Sequence, residues 1–94
     1  MIVEPLYTKV DKTIQTMEGE VVLESHSGFP KDESNLYLLA ANGEIIWKAE
    51  KPDAGTLYAR IKLNDNHTLS TYTIGGHLCD LDLRTGKIIS SSSL

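Results

Sequence analysis

An internal duplication is the feature that most constrains how this chain of 94 residues can fold. Residues 37–46 align with residues 80–89, which lie 43 positions further along the chain. The two segments share apolar residues at Leu38/Leu81, Ala40/Leu83, Ile45/Ile88 and Ile46/Ile89, and a turn glycine at Gly43/Gly86. The upstream match is looser, with Ile14 and Val22 placed over Ile61 and Leu69 at an offset of 47.

The duplication divides one domain, residues 1–94, into two units that span about 8–50 and 55–92. No window repeats apolar residues at helical spacing, whereas short β-favouring runs alternate with turn residues. We predict strands near residues 2–8, 12–17, 20–25, 35–41, 44–49, 56–63, 68–73, 77–83 and 86–90. This pattern predicts an all-β fold in which each unit is a four-stranded antiparallel meander.

The segments between the strands carry turn residues. Asn42-Gly43 predicts a two-residue type I′ turn, because both residues tolerate a positive φ. Thr85-Gly86 predicts a slightly longer turn with glycine in the left-handed region. Residues 25–34 form the longest irregular stretch and predict an exposed polar loop, and the serines at 90–93 predict a frayed polar tract.

Alternation along the strands assigns side chains to faces. In the run 56–63 it predicts one apolar face and one polar face: Leu57, Ala59, Ile61 and Leu63 against Tyr58, Arg60 and Lys62. In the run 77–83, Cys79 shares the apolar face with Leu81 and Leu83, which predicts a buried thiol rather than a nucleophile. Asp80 and Asp82 then point to water, about 7 Å apart by strand rise.

Each unit is too small to bury a sheet face alone, so the two open faces need cover. The two meanders can pack face to face as a small sandwich or flattened barrel. Alternatively, a second copy can complete the layer, as a homodimer or a larger ring. We favour the first arrangement, with dimerisation added to it.

Residues 38–47 and 81–89 resemble the outer hairpins of β-propeller blades, and are most similar to the pyrroloquinoline-quinone-type repeat. The first copy keeps Gly43 and Trp47 of that repeat but has Asn42 in place of threonine. The second keeps Thr85-Gly86-Lys87 but has Ser90 in place of tryptophan. The resemblance, which covers about residues 35–94, extends to short uncharacterised bacterial proteins that end in the same hairpin. It implies blade-like units but no quinone cofactor, because two blades enclose no axis.

Charge and composition exclude several classes of partner. The net charge of −4 argues against nucleic acid, and no apolar run is long enough to span a membrane. Cys79 is the single cysteine and no secretory signal is recognisable, so we expect a cytoplasmic protein. Residues 1–47 carry −5 and residues 48–94 carry +1, which predicts either ordinary surface or head-to-tail complementarity with a basic partner or another copy.

Few residues suggest catalysis or metal binding. His26, His67 and His77 lie near turns without metal-ligand spacing, and we interpret them as surface residues. Asp80 and Asp82 could support acid–base chemistry or hold a cation, but their alternation with leucines is typical of a solvent face. We therefore expect no enzyme activity, no metal and no cofactor.

Aromatic residues are the stronger functional candidates. Trp47 either packs between the sheets or anchors an interface, since tryptophan is common at binding hot spots. Tyr37, Leu39, Tyr58 and Tyr72 fall on faces opposite the matched core positions, where they could form a partner-binding patch. We predict a non-catalytic protein–protein interaction module that self-associates as a homodimer or binds another protein. The alternative is a small-ligand or metal-binding protein that uses loop 25–34 with His26 or His77.

Overall fold

The computed structural model describes residues 3–93, which form eight strands in two sheets. The first sheet contains β1 (Val10–Gln15), β2 (Glu20–Glu24), β3 (Leu36–Leu39) and β4 (Ile45–Lys48). The second contains β5 (Tyr58–Leu63), β6 (Thr68–Thr73), β7 (His77–Asp82) and β8 (Ile88–Ser93). No helix that could cross a bilayer occurs between residues 3 and 93.

Each sheet is an antiparallel meander in which every strand pairs with its neighbours in the sequence. The prediction of an all-β fold with two four-stranded antiparallel meanders is therefore confirmed. The two sheets pack face to face and do not close into a barrel, since each keeps two edge strands. The predicted strand at 2–8 is wrong over its described part, because residues 3–9 lie outside the sheets.

A single apolar core lies between the two sheets. The first sheet and its flanks contribute Val21, Leu23, Leu36, Leu38, Trp47 and Ala49, and the second contributes Tyr58, Ile61, Leu69, Cys79, Leu81 and Leu83. Ile14, Leu63 and Ile88 pack against the rim of this cluster. Burying one face of each unit against the other supplies the cover that neither unit has alone.

Polar contacts join the sheets at one side of this core. The buried amide of Asn35 donates from Nδ2 to the carbonyl oxygens of Glu24 (2.7 Å) and Tyr58 (2.8 Å). Its Oδ1 accepts the N–H of Tyr58 at 2.8 Å. Asn35 therefore satisfies three main-chain groups that would otherwise be buried without partners.

Trp47 joins the sheets at the other side. Its Nε1–H donates to the carbonyl oxygen of Leu83 at 2.9 Å, and its ring packs on Gly86. The main chain reinforces this contact, since the N–H of Glu50 donates to the carbonyl oxygen of Gly86 at 2.8 Å. The tryptophan thus packs between the two repeated units, which is one of the two roles that its position predicts.

The hairpin turns depart from the prediction in one unit. The N–H of Ala40 donates to the carbonyl of Glu44, and that of Gly43 to the carbonyl of Ala40, which makes a three-residue loop. Gly43 has a φ of +87°, whereas Asn42 is not in the left-handed region. The predicted type I′ turn is wrong, because this loop needs only one residue with positive φ. The second hairpin has the longer turn that was predicted, closed between Asp82 and Lys87.

β-bulges move several side chains away from simple alternation. Tyr58 pairs with Thr73 and Arg60 with Tyr72, so Ala59 is an extra residue in β5. The bulge turns Tyr58 into the core beside Ile61, and the predicted outward face for Tyr58 is wrong for this reason.

The prediction that the serines at 90–93 are frayed is also wrong, since β8 continues to Ser93 through pairing with β7.

The strand registers define which positions of the two sheets are equivalent. Val22 pairs with Tyr37 in the first sheet, and Ser70 pairs with Asp80 in the second. Because Tyr37 and Asp80 match at an offset of 43, Val22 corresponds to Ser70 at an offset of 48. At Val22 the predicted offset of 47 is therefore one residue short, and such a slip moves a side chain to the opposite face.

Candidate functional site

The outer face of the first sheet is covered by the chain's own N-terminal segment. The carboxylate of Glu24, at the end of β2, is fully buried beneath this segment. It accepts the N–H groups of Leu6 (2.6 Å), Tyr7 (3.1 Å) and Thr8 (2.9 Å), and the hydroxyl of Tyr37. One carboxylate therefore fastens three consecutive residues across the sheet.

The titration of Glu24 reflects this arrangement. Burial by itself would raise the pKa of the carboxyl, but the hydrogen bonds from Tyr37 and from the three N–H groups outweigh it. The pKa of Glu24 consequently lies below its ordinary value. Burial, followed by the hydrogen bond to Glu24, raises the pKa of the Tyr37 hydroxyl. The pair is held as a carboxylate and a neutral phenol, which suits a fastening role.

The corresponding outer face of the second sheet is polar and open. Ser70 and Asp80 occupy the positions equivalent to Val22 and Tyr37. The hydroxyls of Ser70 and Ser90 donate to the carboxylate of Asp80, at 3.0 and 3.3 Å. Asp82 accepts the N–H of Arg84 at 2.9 Å and helps to form the β7–β8 turn. Both carboxylates thus have structural partners on a face that tolerates water.

Exposed apolar residues lie at the turn end of the first sheet and on the N-terminal segment that covers its outer face. Met17 in the β1–β2 turn is 86% exposed, and Ile45 and Ile46 in β4 are 39% and 48% exposed. Leu6 of the covering segment is 38% exposed. We call the surface formed by Leu6, Met17, Ile45 and Ile46 the acid-rimmed patch. Exposed apolar side chains that line a groove commonly mark a docking surface.

Two grooves run through this patch. One, of about 440 Å³, is lined by residues 15–20, residues 39–41 and Ile46. The other, of about 350 Å³, is lined by Val3, Glu4, Leu6, Tyr37, Leu39, Gly43 and Ile45. Both grooves include Leu39, at the end of β3, in their lining.

The charges around the patch have one sign. Glu18 and Glu20 line the first groove, and Glu4 lines the second. Glu44 lies in the adjacent β3–β4 turn. Among the residues that the structure describes, no lysine or arginine lines either groove. The surface therefore presents an apolar centre within a negative rim.

A third groove, whose charges have the opposite sign, lies on the open face of the second sheet. It has a volume of about 270 Å³ and is lined mainly by Arg60, Lys62, Tyr72 and Leu78, with Ser70 and parts of Ile61 and Thr71. Leu78 is 43% exposed and Tyr72 is half-buried. We call this the basic-edged groove, because its two charged lining residues are cations on the edge strand β5.

Most of the predicted interface residues lie inside the protein. Trp47 and Tyr58 belong to the core between the sheets, and Tyr37 and Leu39 are buried beneath the N-terminal segment with Val22. Tyr72 is the one of the five with a partly exposed side chain. The patch residues Met17 and Ile46 were missed by sequence reasoning. For Met17 the available signal was an apolar residue at the end of a predicted strand, beside Glu18. Ile46 carried no such signal, because its bulge is defined by the pairing of β3 with β4.

Loop 25–34 is less open than its sequence predicts. Phe29 is buried and packs edge-to-face on Tyr7, with ring centroids 5.2 Å apart. The ammonium of Lys51 binds the carbonyl oxygens of Lys31 and Glu33 beneath the loop. His26 is exposed, and within residues 3–93 no three His, Cys, Asp or Glu side chains form a metal-binding group.

A family model described as a domain of unknown function (DUF7957) matches residues 5–92. No curated protein matches the chain.

Proposed function

The chain belongs to the family described as a domain of unknown function (DUF7957), and from this starting point we propose that it is a non-catalytic module that binds a protein through the acid-rimmed patch. The observation that carries the proposal is that exposed apolar residues line two grooves of the first sheet: Met17 and Ile46 line one, and Leu6 and Ile45 line the other. Apolar groups in a concave surface can bury a partner's side chains and exclude water from them.

The negative rim defines the chemistry of the partner. A segment with apolar residues flanked by lysine or arginine would fill the grooves and meet Glu4, Glu18 and Glu20. Rim charges of this kind accelerate association and select among partners more than they raise affinity. We therefore expect binding to weaken as salt screens the rim.

The remaining features support a binding role over a catalytic one. Asp80 and Asp82 are engaged by serine hydroxyls and a turn N–H, and Cys79 is buried in the core. We further propose that the module works in the cytoplasm, where a single free cysteine is common. The two sheets fit repeated blade-like units, and a distant relation to propeller repeats is part of this proposal.

The duplication supplies a matched control for the experiment. Ile46 and Ile89 are equivalent positions at bulges of the two hairpins, and both are exposed, at 48% and 60%. A photo-cross-linking amino acid is placed at position 46 or at position 89 of the full chain in its native cells. The proposal expects a defined protein adduct from position 46 and not from position 89.

The adduct identifies a partner that is then purified. The change Ile46→Asp should weaken its binding at least tenfold, because it places a carboxylate in the apolar centre, whereas Ile89→Asp should leave binding unchanged. Equal adducts from both positions, or binding that is insensitive to Ile46→Asp, would contradict the proposal.

A further inference from the structure

We infer that the partner of the acid-rimmed patch is a second copy of this chain, which docks through its basic-edged groove. The inference rests on the proposed function and names the partner for the same patch. The interface would be head-to-tail: the turn end of the first sheet of one copy would contact the outer face of the second sheet of the next.

The two surfaces are complementary in charge. The patch carries Glu18 and Glu20 beside Met17 and Ile46, and the groove carries Arg60 and Lys62 beside Tyr72 and Leu78. Docking would bring apolar centre to apolar centre and acidic rim to basic edge. This is the arrangement that distinguishes a specific polar-rimmed interface from two unrelated hydrophobic spots.

These charges are also unused within the monomer. The ion pair that the structure gives among residues 3–93 joins Lys48 to Glu33 and involves neither surface. The side-chain nitrogens of Arg60 and Lys62, and the carboxylates of Glu18 and Glu20, make no hydrogen bond in the described part of the chain. Asp80 lies beside the groove, and its carboxylate already accepts hydrogen bonds from two serine hydroxyls. The cations of β5 are thus free to meet an external carboxylate.

The positions of the two surfaces determine the symmetry of the assembly. The patch includes the turn end and part of the outer face of the first sheet, whereas the groove lies on the outer face of the second. The two surfaces belong to different sheets and share no lining residue, so one copy can use both at once. A contact between unlike surfaces leaves one of each free, so it continues into a ring or an open chain.

The contact is small, and this limits its strength. The molecule measures 36 × 32 × 16 Å, and a stable interface usually buries about 800 Å² on each partner. Neither surface covers much more than one end or one face of such a body. We therefore expect association in the micromolar range that depends on concentration and falls with salt.

The test uses two variants that each remove one surface. Ile46→Asp disables the patch and Leu78→Asp disables the groove, and both positions are exposed enough to leave folding intact. Sedimentation velocity of the wild-type chain should show larger species as concentration rises. Each variant alone should stay monomeric, but an equimolar mixture should form a one-to-one dimer that grows no further, since each partner retains the surface that the other lacks. Ile89→Asp is the control and should associate like the wild type.

Circular dichroism and thermal unfolding of each variant establish that it is folded. A wild-type chain that stays monomeric up to millimolar concentration, or a mixture that gives no dimer, would overturn the inference. Association that persists in Ile46→Asp would also overturn it, because the contact would then lie elsewhere. A cross-link from position 46 to a foreign protein, together with a monomeric wild type, would overturn only this inference and leave the proposed function standing. Cross-links from position 46 to Tyr72 or Leu78 of a second copy would support both.

Discussion

Gly86 lies directly against the indole ring of Trp47, which belongs to the opposite sheet. A Cβ atom built on Gly86 would come within 2.5 Å of Cε3 of that ring, and the residue has a φ of +73°. The position therefore requires glycine for two reasons, the absence of a side chain and the left-handed backbone. This contact is one of the places where the two repeated units pack together.

The change Gly86→Ala should destabilise the fold by about 2–4 kcal/mol, because it combines a left-handed alanine with a clash in the core. The duplication again provides the control. Gly43 is the equivalent turn residue, with a φ of +87° and no atom within 4 Å of a built Cβ. Gly43→Ala should cost only about 1 kcal/mol. Urea unfolding measures both, and equal losses would contradict the packing of Trp47 on Gly86.

The change Asn35→Ala should cost about 3 kcal/mol, because it leaves the N–H and carbonyl of Tyr58 and the carbonyl of Glu24 buried without partners. Asn66→Ala, in the exposed β5–β6 turn, is the control and should cost well under about 1 kcal/mol. Chemical denaturation compares the two. A small loss at Asn35 would mean that water replaces the amide and that Asn35 does not hold the sheets together.

The change Glu24→Gln should loosen the N-terminal segment and destabilise the protein by about 2 kcal/mol at neutral pH, because it replaces an ionised acceptor with a neutral amide. Hydrogen exchange at the amides of Leu6, Tyr7 and Thr8 should accelerate in the variant. Exchange that is unchanged at these three amides would show that other contacts hold the segment.

The same carboxylate predicts a dependence on pH. Since the pKa of Glu24 is lowered in the folded state from its ordinary value of 4.5, its contribution is complete above that value. The contribution should be lost as the pH falls below 4.5 and passes through the folded pKa. The stability difference between wild type and Glu24→Gln should therefore shrink on acidification. A difference that stays constant between neutral pH and pH 3 would contradict this role.

Cys79 should react slowly with thiol reagents in the folded protein. It lies in the core, and burial raises the pKa of its thiol, so little thiolate is accessible. We expect reaction with an aromatic disulfide to be roughly 100-fold slower than in denaturant. A cysteine introduced by Ser92→Cys, at an exposed position of β8, should react at the rate of a free thiol. Similar rates for both thiols would show that the core opens readily.

Local patterns predicted the strands well, and they failed where pairing partners alter the pattern. The alternation in residues 56–63 placed Tyr58 outside, but the bulge at Ala59 turned it into the core. The Asn42-Gly43 pair predicted a two-residue turn, but Asn42 did not adopt a positive φ. Both outcomes depend on how one strand meets another, and a single strand does not carry that information.

The candidate site was harder to foresee than the fold. Aromatic residues attracted attention because of their size, yet Trp47, Tyr37 and Tyr58 are used to bury the faces of the sheets. Met17 and Ile46 lie 29 positions apart and become neighbours around one groove only through the meander. A surface made from distant segments has no local signature.

The sequence by itself determined the class and the plan of this protein. Short β-favouring runs and spaced turn residues specify strands, and the repeat specifies two similar sheets, since both depend on near neighbours in the chain. Only the tertiary structure decided how the sheets meet, through Trp47 on Gly86 and Asn35 on Tyr58. It also decided which faces remain open: Glu24 draws the N-terminal segment over the first sheet, and no described segment covers the second. How the sheets pack and which faces are covered depend on contacts between residues far apart in the sequence, so packing rather than local preference determines them.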